Sequence, residues 1–328
     1  MALWLRENET KILINMDQAI KAVETAFCDL YEGSAFLPQR VGFTAVKYGG
    51  GGAVMPAFIG GDTDTLAIKV VTAYKNNPAK FGMPTIIANI MLLNPANGEL
   101  LALMDGSYLT ALRTGAVSGV ATRYLARKDA KILSVFGAGV QGEAQVRAIC
   151  TVRKIEKIYV IDIDPQKAST FSDKLQKTLG VICETPADIE KAVKDSDIIA
   201  TATTSAKPLF KAEWLKPGTH INGIGSHAPA VRELDTKTIA KSLLVVDQRE
   251  ACLREAGDII IPITEKVITE DHICAELGGV ISRRKVVRKN NSVITCFKSV
   301  GLAIQDAAVA SIVYKNALKK HAGQELLK

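Results

Sequence analysis

A glycine-rich turn carries the clearest chemistry in the chain. Gly137-Ala138-Gly139-Val140-Gln141-Gly142 follows a continuous apolar run at 131–136 and precedes a helical stretch at 143–150. That order suits a dinucleotide. The first glycine turns tightly, the second lets backbone approach a pyrophosphate, and the third lets helix and strand pack closely. The N–H groups at the helix start then face the phosphates with a partial positive charge. Asp162 ends the next apolar run, in the window about 20 residues on where a carboxylate binds the adenosine ribose; the bland alternative is that it caps the following helix. Neither Ile163 nor Asp164 offers a cation to a 2′-phosphate, so NAD(H) is the expected cofactor, with NADP(H) as the alternative. Thr201, Thr203 and Ser205, then Gly225 and Ser226, close two further apolar runs. They are either ordinary β–α turns or part of the carboxyl edge along which such sheets bind ligands. On the second reading they join Gly137, Gly139, Val140, Gln141, Gly142 and Asp162 as cofactor-binding residues.

A parallel sheet has to place these groups. From 131 onward strands and helices alternate, with strands at 131–136, 157–162, 181–184, 197–201, 219–225 and 242–247 and helices at 165–179, 187–194 and 236–241. Such alternation predicts an α/β, doubly wound parallel sheet of the Rossmann kind. The upstream pattern differs. An amphipathic helix at 16–30 precedes short apolar runs, among them 66–71 and 86–93, split by Gly, Pro and Asn. The segment Asn94-Pro95-Ala96-Asn97-Gly98 reads as a turn before a strand at 99–104. These features predict an α+β unit with a mostly antiparallel sheet. A helix at 108–127 leads into the parallel region. A last apolar helix at 301–319 lies too far along for another repeat and is expected to pack back on the first domain.

A length of 328 residues suits about two domains, and 48% hydrophobic with 23% charged residues excludes a disordered or collagen-like chain. No apolar run reaches the ~18 residues of a membrane-spanning helix. The N-terminus turns charged at Arg6-Glu7 before a signal-peptide core could form, so a cytoplasmic protein with no membrane partner is expected. The 41 Lys and Arg exceed the 34 Asp and Glu, giving +7, but they are dispersed. The densest cluster, Arg283-Arg284-Lys285 with Arg288-Lys289, is too short to suggest a nucleic-acid surface. Six scattered cysteines and four histidines without ligand spacing predict buried thiols and no metal site.

Further strings stand in order along the chain: Leu37-Pro38-Gln39-Arg40, Val54-Met55-Pro56-Ala57, Ile68-Lys69-Val70 with Asn77-Pro78, Gly82-Met83-Pro84-Thr85, and Met104-Asp105. After them come Thr110-Ala111-Leu112-Arg113-Thr114-Gly115-Ala116 and Phe297-Lys298-Ser299-Val300-Gly301-Leu302-Ala303-Ile304-Gln305-Asp306. With the glycine turn, these resemble the ornithine cyclodeaminase/μ-crystallin family over nearly the whole chain. The strings around Arg113 and Asp306 are specific to it. The resemblance implies a Rossmann domain, residues 119–300, inserted into an α+β substrate-binding and dimerisation domain of residues 1–118 and 301–328, and hence a homodimer. It implies that Arg40, Lys69 and Arg113 hold a substrate carboxylate, and it places Lys298 with the cofactor. The chemistry agrees, since a guanidinium pairs with a carboxylate and keeps its charge. Lys69, flanked by Ile68 and Val70 on a buried strand, needs a partner. An internal ion pair for Lys69, or a helix salt bridge for Arg113, remains open.

Members of the family convert ornithine to proline with loss of ammonia, reduce cyclic ketimines such as Δ1-pyrroline-2-carboxylate to L-proline, or act as alanine dehydrogenases. Each moves a hydride between a nicotinamide and the α-carbon of an amino or imino acid. Cyclodeaminases carry an aspartate in the loop after the fifth Rossmann strand; here the matching loop, Gly225-Ser226-His227-Ala228-Pro229, offers His227. An imidazole holds a cationic diamine poorly, but it changes charge near neutral pH and can give a proton to an imine nitrogen. Equally, His227 is open to a passive loop role. The alanine dehydrogenase variant has an arginine before its Met-Pro-Ala, where Val54 stands here. Both departures point to an NAD(P)H-dependent reductase of a small cyclic imino acid, first of all Δ1-pyrroline-2-carboxylate, with Lys69 and His227 as catalytic candidates. The alternatives are an ornithine cyclodeaminase, an alanine dehydrogenase and a non-catalytic, crystallin-like ligand-binding protein.

Overall fold

Short apolar strands broken by Gly, Pro and Asn build the first of two units. The computed structural model describes residues 2–326. Its first unit holds the residues up to Arg113 together with those from Leu302 on. Its strands are β1 (Leu3–Leu5), β2 (Ala35–Phe36), β3 (Val41–Ala45), β4 (Gly50–Ile59), β5 (Thr65–Tyr74), β6 (Ile86–Leu93) and β7 (Leu100–Asp105). They lie in the order β1-β7-β6-β5-β4-β2, with β3 also on β4 and the short strand Gln324–Glu325 beside β1. Pairing is antiparallel except between β1 and β7. The period of two sorts the side chains. Ala67 and Lys69 of β5 and Ala88, Ile90 and Leu92 of β6 are buried, whereas Val70 and Met91 of the same strands are exposed.

Two helices cover the buried face. Met16–Glu32 is capped by Asn15, whose side chain accepts from Gln18 N, and it buries Ala19, Ile20, Val23 and Phe27. Ala303–Lys320 packs on that helix and on β4 and β5. The expected return of the last helix to the first part of the chain is therefore observed.

The second unit runs from Thr114 to Gly301. Its strands are β8 (Ile132–Phe136), β9 (Lys157–Ile161), β10 (Ile182–Glu184), β11 (Ile198–Thr201), β12 (His220–Gly223), β13 (Leu243–Val246), β14 (Ile273–Glu276) and β15 (Thr295–Lys298). All are parallel, in the order β10-β9-β8-β11-β12-β15-β13-β14. Burial on both faces explains the near-continuous apolar runs of β8 and β11, broken only by the small polar Ser134 and Thr201. Helices Pro165–Leu179 and Thr236–Lys241 have the bounds that the sequence predicts. Between 249 and 298 the sequence left structure unassigned. There the protein forms helices Arg249–Glu255 and Gly257–Thr264 and the strands β14 and β15. β15 inserts between β12 and β13, which sequence neighbours alone could not reveal.

No described helix is long and apolar enough to cross a membrane. All six cysteines are free thiols, but only Cys252 and Cys296 are buried, because the other four lie at partly exposed positions.

Candidate active site

β8 delivers the chain into the glycine turn. Gly137 takes a φ of 103°, and a Cβ there would lie 2.4 Å from the carbonyl of Ala202. At Gly142 a Cβ would lie 1.9 Å from the carbonyl of Gly137, so helix and strand meet as closely as the motif requires. A Cβ on Gly139 would meet no atom within 4 Å, which leaves that side of the turn open to a ligand. Gly139 is also the N-cap of helix Val140–Val152, with no side chain capping it. Val140 is exposed, and Gln141 lies partly buried beside it in the first turn. Open backbone N–H groups at a helix start fit a pyrophosphate.

Asp162 stands just past β9 and faces this turn. Its Oδ2 accepts from Ala138 N at 2.7 Å and its Oδ1 from Asp164 N at 3.0 Å. The next helix is capped by Asp164, which accepts from Gln166 N and Lys167 N. Asp162 is thus tied to the glycine turn, and the helix-cap alternative belongs to its neighbour. Ile163 beside it is 100% exposed.

On the other side of β8, one buried carboxylate gathers the ends of β11 and β12. Glu233 Oε2 accepts from Thr201 Oγ1 at 2.8 Å and Gly225 N at 2.7 Å. Its Oε1 accepts from both Thr203 N and Thr203 Oγ1 at 2.7 Å. Ser205 N donates to Thr203 Oγ1, and Ser205 Oγ donates to Lys207 O. Beneath the loop, the fully buried Lys298 of β15 pairs with Asp258 at 2.8 Å and donates to Ser226 O at 2.6 Å. Ser226 Oγ donates to Val231 O. The hydroxyls of Thr201 and Thr203 and the ammonium of Lys298 are therefore engaged within the protein, where they shape the loops. Burial pushes the Glu233 carboxyl above its ordinary value, although the Lys298 charge and the threonine donors oppose it. Burial pulls Lys298 down, but the charges of Asp258 and Glu233 outweigh it and hold the ammonium above its ordinary value. His227 is exposed at the tip of this loop, with Nδ1 2.9 Å from Gly225 O.

The first unit contains a second charged cluster. Lys69 projects from β5 to the buried face, 1% exposed, and its Nζ lies 2.6 Å from Asp306 Oδ2. Arg113 Nε donates to Asp306 Oδ1 at 3.0 Å, and Arg113 Nη1 donates to Gln305 Oε1 at 2.6 Å. Both partners sit in the first turn of helix Ala303–Lys320. The internal acid that the burial of Lys69 demands is Asp306, and the same acid holds Arg113. Two cations thus share one carboxylate, so the cluster keeps a surplus positive charge. Burial, followed by the Arg113 charge, pulls Lys69 down to about 7 despite Asp306; Arg40 pulls in the same direction. Arg40 itself is partly buried.

Glu233 and Asp258 are organising residues that the sequence did not single out. Asp306 and Gln305 lie in the stretch 301–306, whose sequence alone assigns them no role. In sequence an acid bound for the interior looks like one on the surface.

A parallel sheet whose first strand ends in an open glycine turn, with an acid on the neighbouring strand, defines a dinucleotide-binding protein of the Rossmann class. The added unit with its buried cation cluster narrows this further. The chain belongs to the ornithine cyclodeaminase/mu-crystallin family, which it matches over residues 2–321. It is similar to the Thermococcus litoralis Δ1-pyrroline-2-carboxylate reductase, solved with NADH and L-proline. Identity is 46%, the TM-score is 0.95, and coverage is 99% of this chain and 100% of that one. It is 38% identical to the Δ1-pyrroline-2-carboxylate reductase of Bacillus cereus over 99% of both chains. An archaeal alanine dehydrogenase dimer with bound NAD is also similar, at 37% identity and a TM-score of 0.93 over 99% of each chain.

Proposed function

We propose that this protein is an NADH-dependent reductase that converts Δ1-pyrroline-2-carboxylate to L-proline. Full-length likeness to the Thermococcus litoralis reductase holding NADH and L-proline carries this reading. The open glycine turn and the surplus-positive cluster around Asp306 agree with it. Gly137, Gly139, Val140, Gln141 and Gly142 with the helix N-terminus hold the pyrophosphate, and Asp162 holds the adenosine ribose. Thr201, Thr203, Ser205, Gly225, Ser226 and Lys298 form and support the sheet edge for the rest of the dinucleotide. NADH, when bound, supplies the hydride that the imine carbon takes up.

Arg40 and Arg113 anchor the substrate carboxylate. Lys69 is shielded by its neighbours and adds its charge to the cluster. Reduction of the C=N bond also needs a proton at nitrogen. His227, exposed on its loop, is the first candidate to bring it, with Lys69 as the second because its proton is held loosely near neutral pH. The protein's share of the rate is orientation and electrostatics.

The test is to mix protein, NADH and pyrroline-2-carboxylate and follow the loss of NADH absorbance. Parallel reactions contain ornithine with NAD, pyruvate with ammonia, and a six-membered cyclic imine. Rapid ammonia release from ornithine would overturn the assignment. Faster turnover of pyruvate and ammonia would transfer it to alanine dehydrogenase, the activity of the similar archaeal protein.

The outer face of the first unit's sheet exposes Val41, Phe43, Val70 and Met91. A sheet apolar on both faces and covered on one calls for a partner, and we assign this face to a second copy. Sedimentation equilibrium should return twice the chain mass.

A further inference from the structure

Resting on the dinucleotide reading above, we infer that Glu233 is a positioning residue for the nicotinamide half of the cofactor. Strand order locates that half. A dinucleotide straddles the point where the order reverses, here between β8 and β11. Asp162, just past β9, marks the adenosine side, so the nicotinamide side lies along the ends of β11 and β12. Both ends are tied to Glu233, a residue 0% exposed.

The ties are short and complete. Each carboxylate oxygen accepts two hydrogen bonds, all at 2.7 or 2.8 Å, from Thr201, Gly225 and, twice, Thr203. Gly225 must be glycine for this to work, since a Cβ there would lie 2.4 Å from Glu233 Oε1 and 2.3 Å from Thr203 O. Glu233 is itself held from behind. Asp258 Oδ1 accepts from Glu233 N at 2.8 Å and Leu234 N at 2.9 Å. Asp258 also pairs with Lys298, whose ammonium reaches Ser226 O. The circuit Glu233, Asp258, Lys298, Ser226, Gly225 closes on itself. It pins two consecutive loop residues from below, one by an anion and one by a cation.

Only a carboxylate fills this position. All four groups bonded to it act as donors, and a glutamine offers one oxygen and one NH2. Its NH2 would oppose either the Thr203 N–H or the Gly225 N–H, and one loop would be released. An unmet buried donor is costly, so the loop would move to satisfy it.

The experiment is equilibrium binding without turnover. NADH is titrated by its fluorescence, and ADP-ribose, which lacks the nicotinamide, is titrated by calorimetry, against wild type and Glu233→Gln. The expected result is about a tenfold loss of NADH affinity, with ADP-ribose affinity within about twofold of wild type. Equal losses for both ligands would mean that Glu233 only stabilises the fold, and no loss for either would also overturn the proposal. Should Glu233→Gln fail to fold, Thr203→Val decides. It removes one of the four donors and leaves the carboxylate in place, and it should produce a smaller loss confined to NADH; a loss shared by ADP-ribose refutes the proposal. A wild-type protein that binds neither ligand would instead remove the dinucleotide reading itself.

Discussion

Substrate binding should carry a proton with it, because Lys69 loses its own near pH 7 in the ligand-free protein. Its ammonium lies 2.6 Å from Asp306, which also serves Arg113 at 3.0 Å, so one carboxylate answers two cations. On the proposed function, a substrate carboxylate would supply the missing negative charge and raise the Lys69 pKa towards its ordinary value of about 10.4. The binding-competent form is the protonated one. It is fully present at low pH and is lost as pH rises through about 7. At pH 7 about half the molecules carry it, and at pH 9 about one in a hundred. If the complex keeps the proton throughout, affinity falls about 50-fold over those two units, or about 2.3 kcal/mol at ~1.36 kcal/mol per unit. Pyrrole-2-carboxylate is a suitable probe, being planar and free of an ionising amine. Its binding to NADH-saturated protein can be measured calorimetrically from pH 6 to 9, in buffers of different ionisation enthalpy that report proton uptake. Affinity should be highest near pH 6 and decline steadily above 7, and Lys69→Met should bind weakly with no decline. A flat profile in wild type, or the same slope in Lys69→Met, would refute this account of the cluster.

Three other outcomes are expected. Asp162→Asn keeps an acceptor for Ala138 N but removes the charge, so NADH affinity should fall while NADPH affinity holds or improves; parallel fluorescence titrations read the difference. Arg113→Lys keeps the charge but loses the bonds to Asp306 and Gln305, and the KM of the imino acid should rise more than tenfold. The same imine lacking its carboxylate should be little affected, and equal losses would make Arg113 purely structural. His227→Ala should lower kcat for imine reduction with NADH affinity unchanged; an unaltered kcat would pass proton delivery to Lys69 or water.

The parallel unit was legible where its signals are local. The apolar run of β8, the glycines at 137, 139 and 142, and Asp162 lie within one βαβ stretch, and each residue type answers to a steric or electrostatic need of its neighbours. β15 was not legible. Four residues, Thr295–Lys298, carry little periodicity, and their place between β12 and β13 is decided by the rest of the sheet. Lys69 advertised its burial through Ile68 and Val70, yet its partner Asp306 lies at the far end of the chain. Glu233 and Asp258 gave no warning, because an acid's burial is set by tertiary topology; the sequence around Glu233, Val231-Arg232-Glu233-Leu234-Asp235, looks like surface. Local geometry announced the cofactor's phosphates, and long-range packing concealed what holds the sheet edge.

The division of the first unit into two stretches, up to Arg113 and from Leu302 on, has a consequence for how the chain is made. On the ribosome, β4 and β5 emerge early, but the helix Ala303–Lys320 that covers them, and the Asp306 that neutralises Lys69, emerge after the whole second unit. Until then the nascent sheet carries a buried-type lysine without its acid and an apolar face without its cover, a state prone to chaperone capture. The second unit, contiguous from Thr114 to Gly301, faces no such delay and can fold first, as domains do during synthesis. The first unit closes last, through contacts of very long sequence separation, and such contacts are slow to form. Emergence of residues 303–320 is thus the event that completes the Lys69–Arg113–Asp306 cluster, and an interruption of translation before residue 303 leaves both cations without their shared carboxylate.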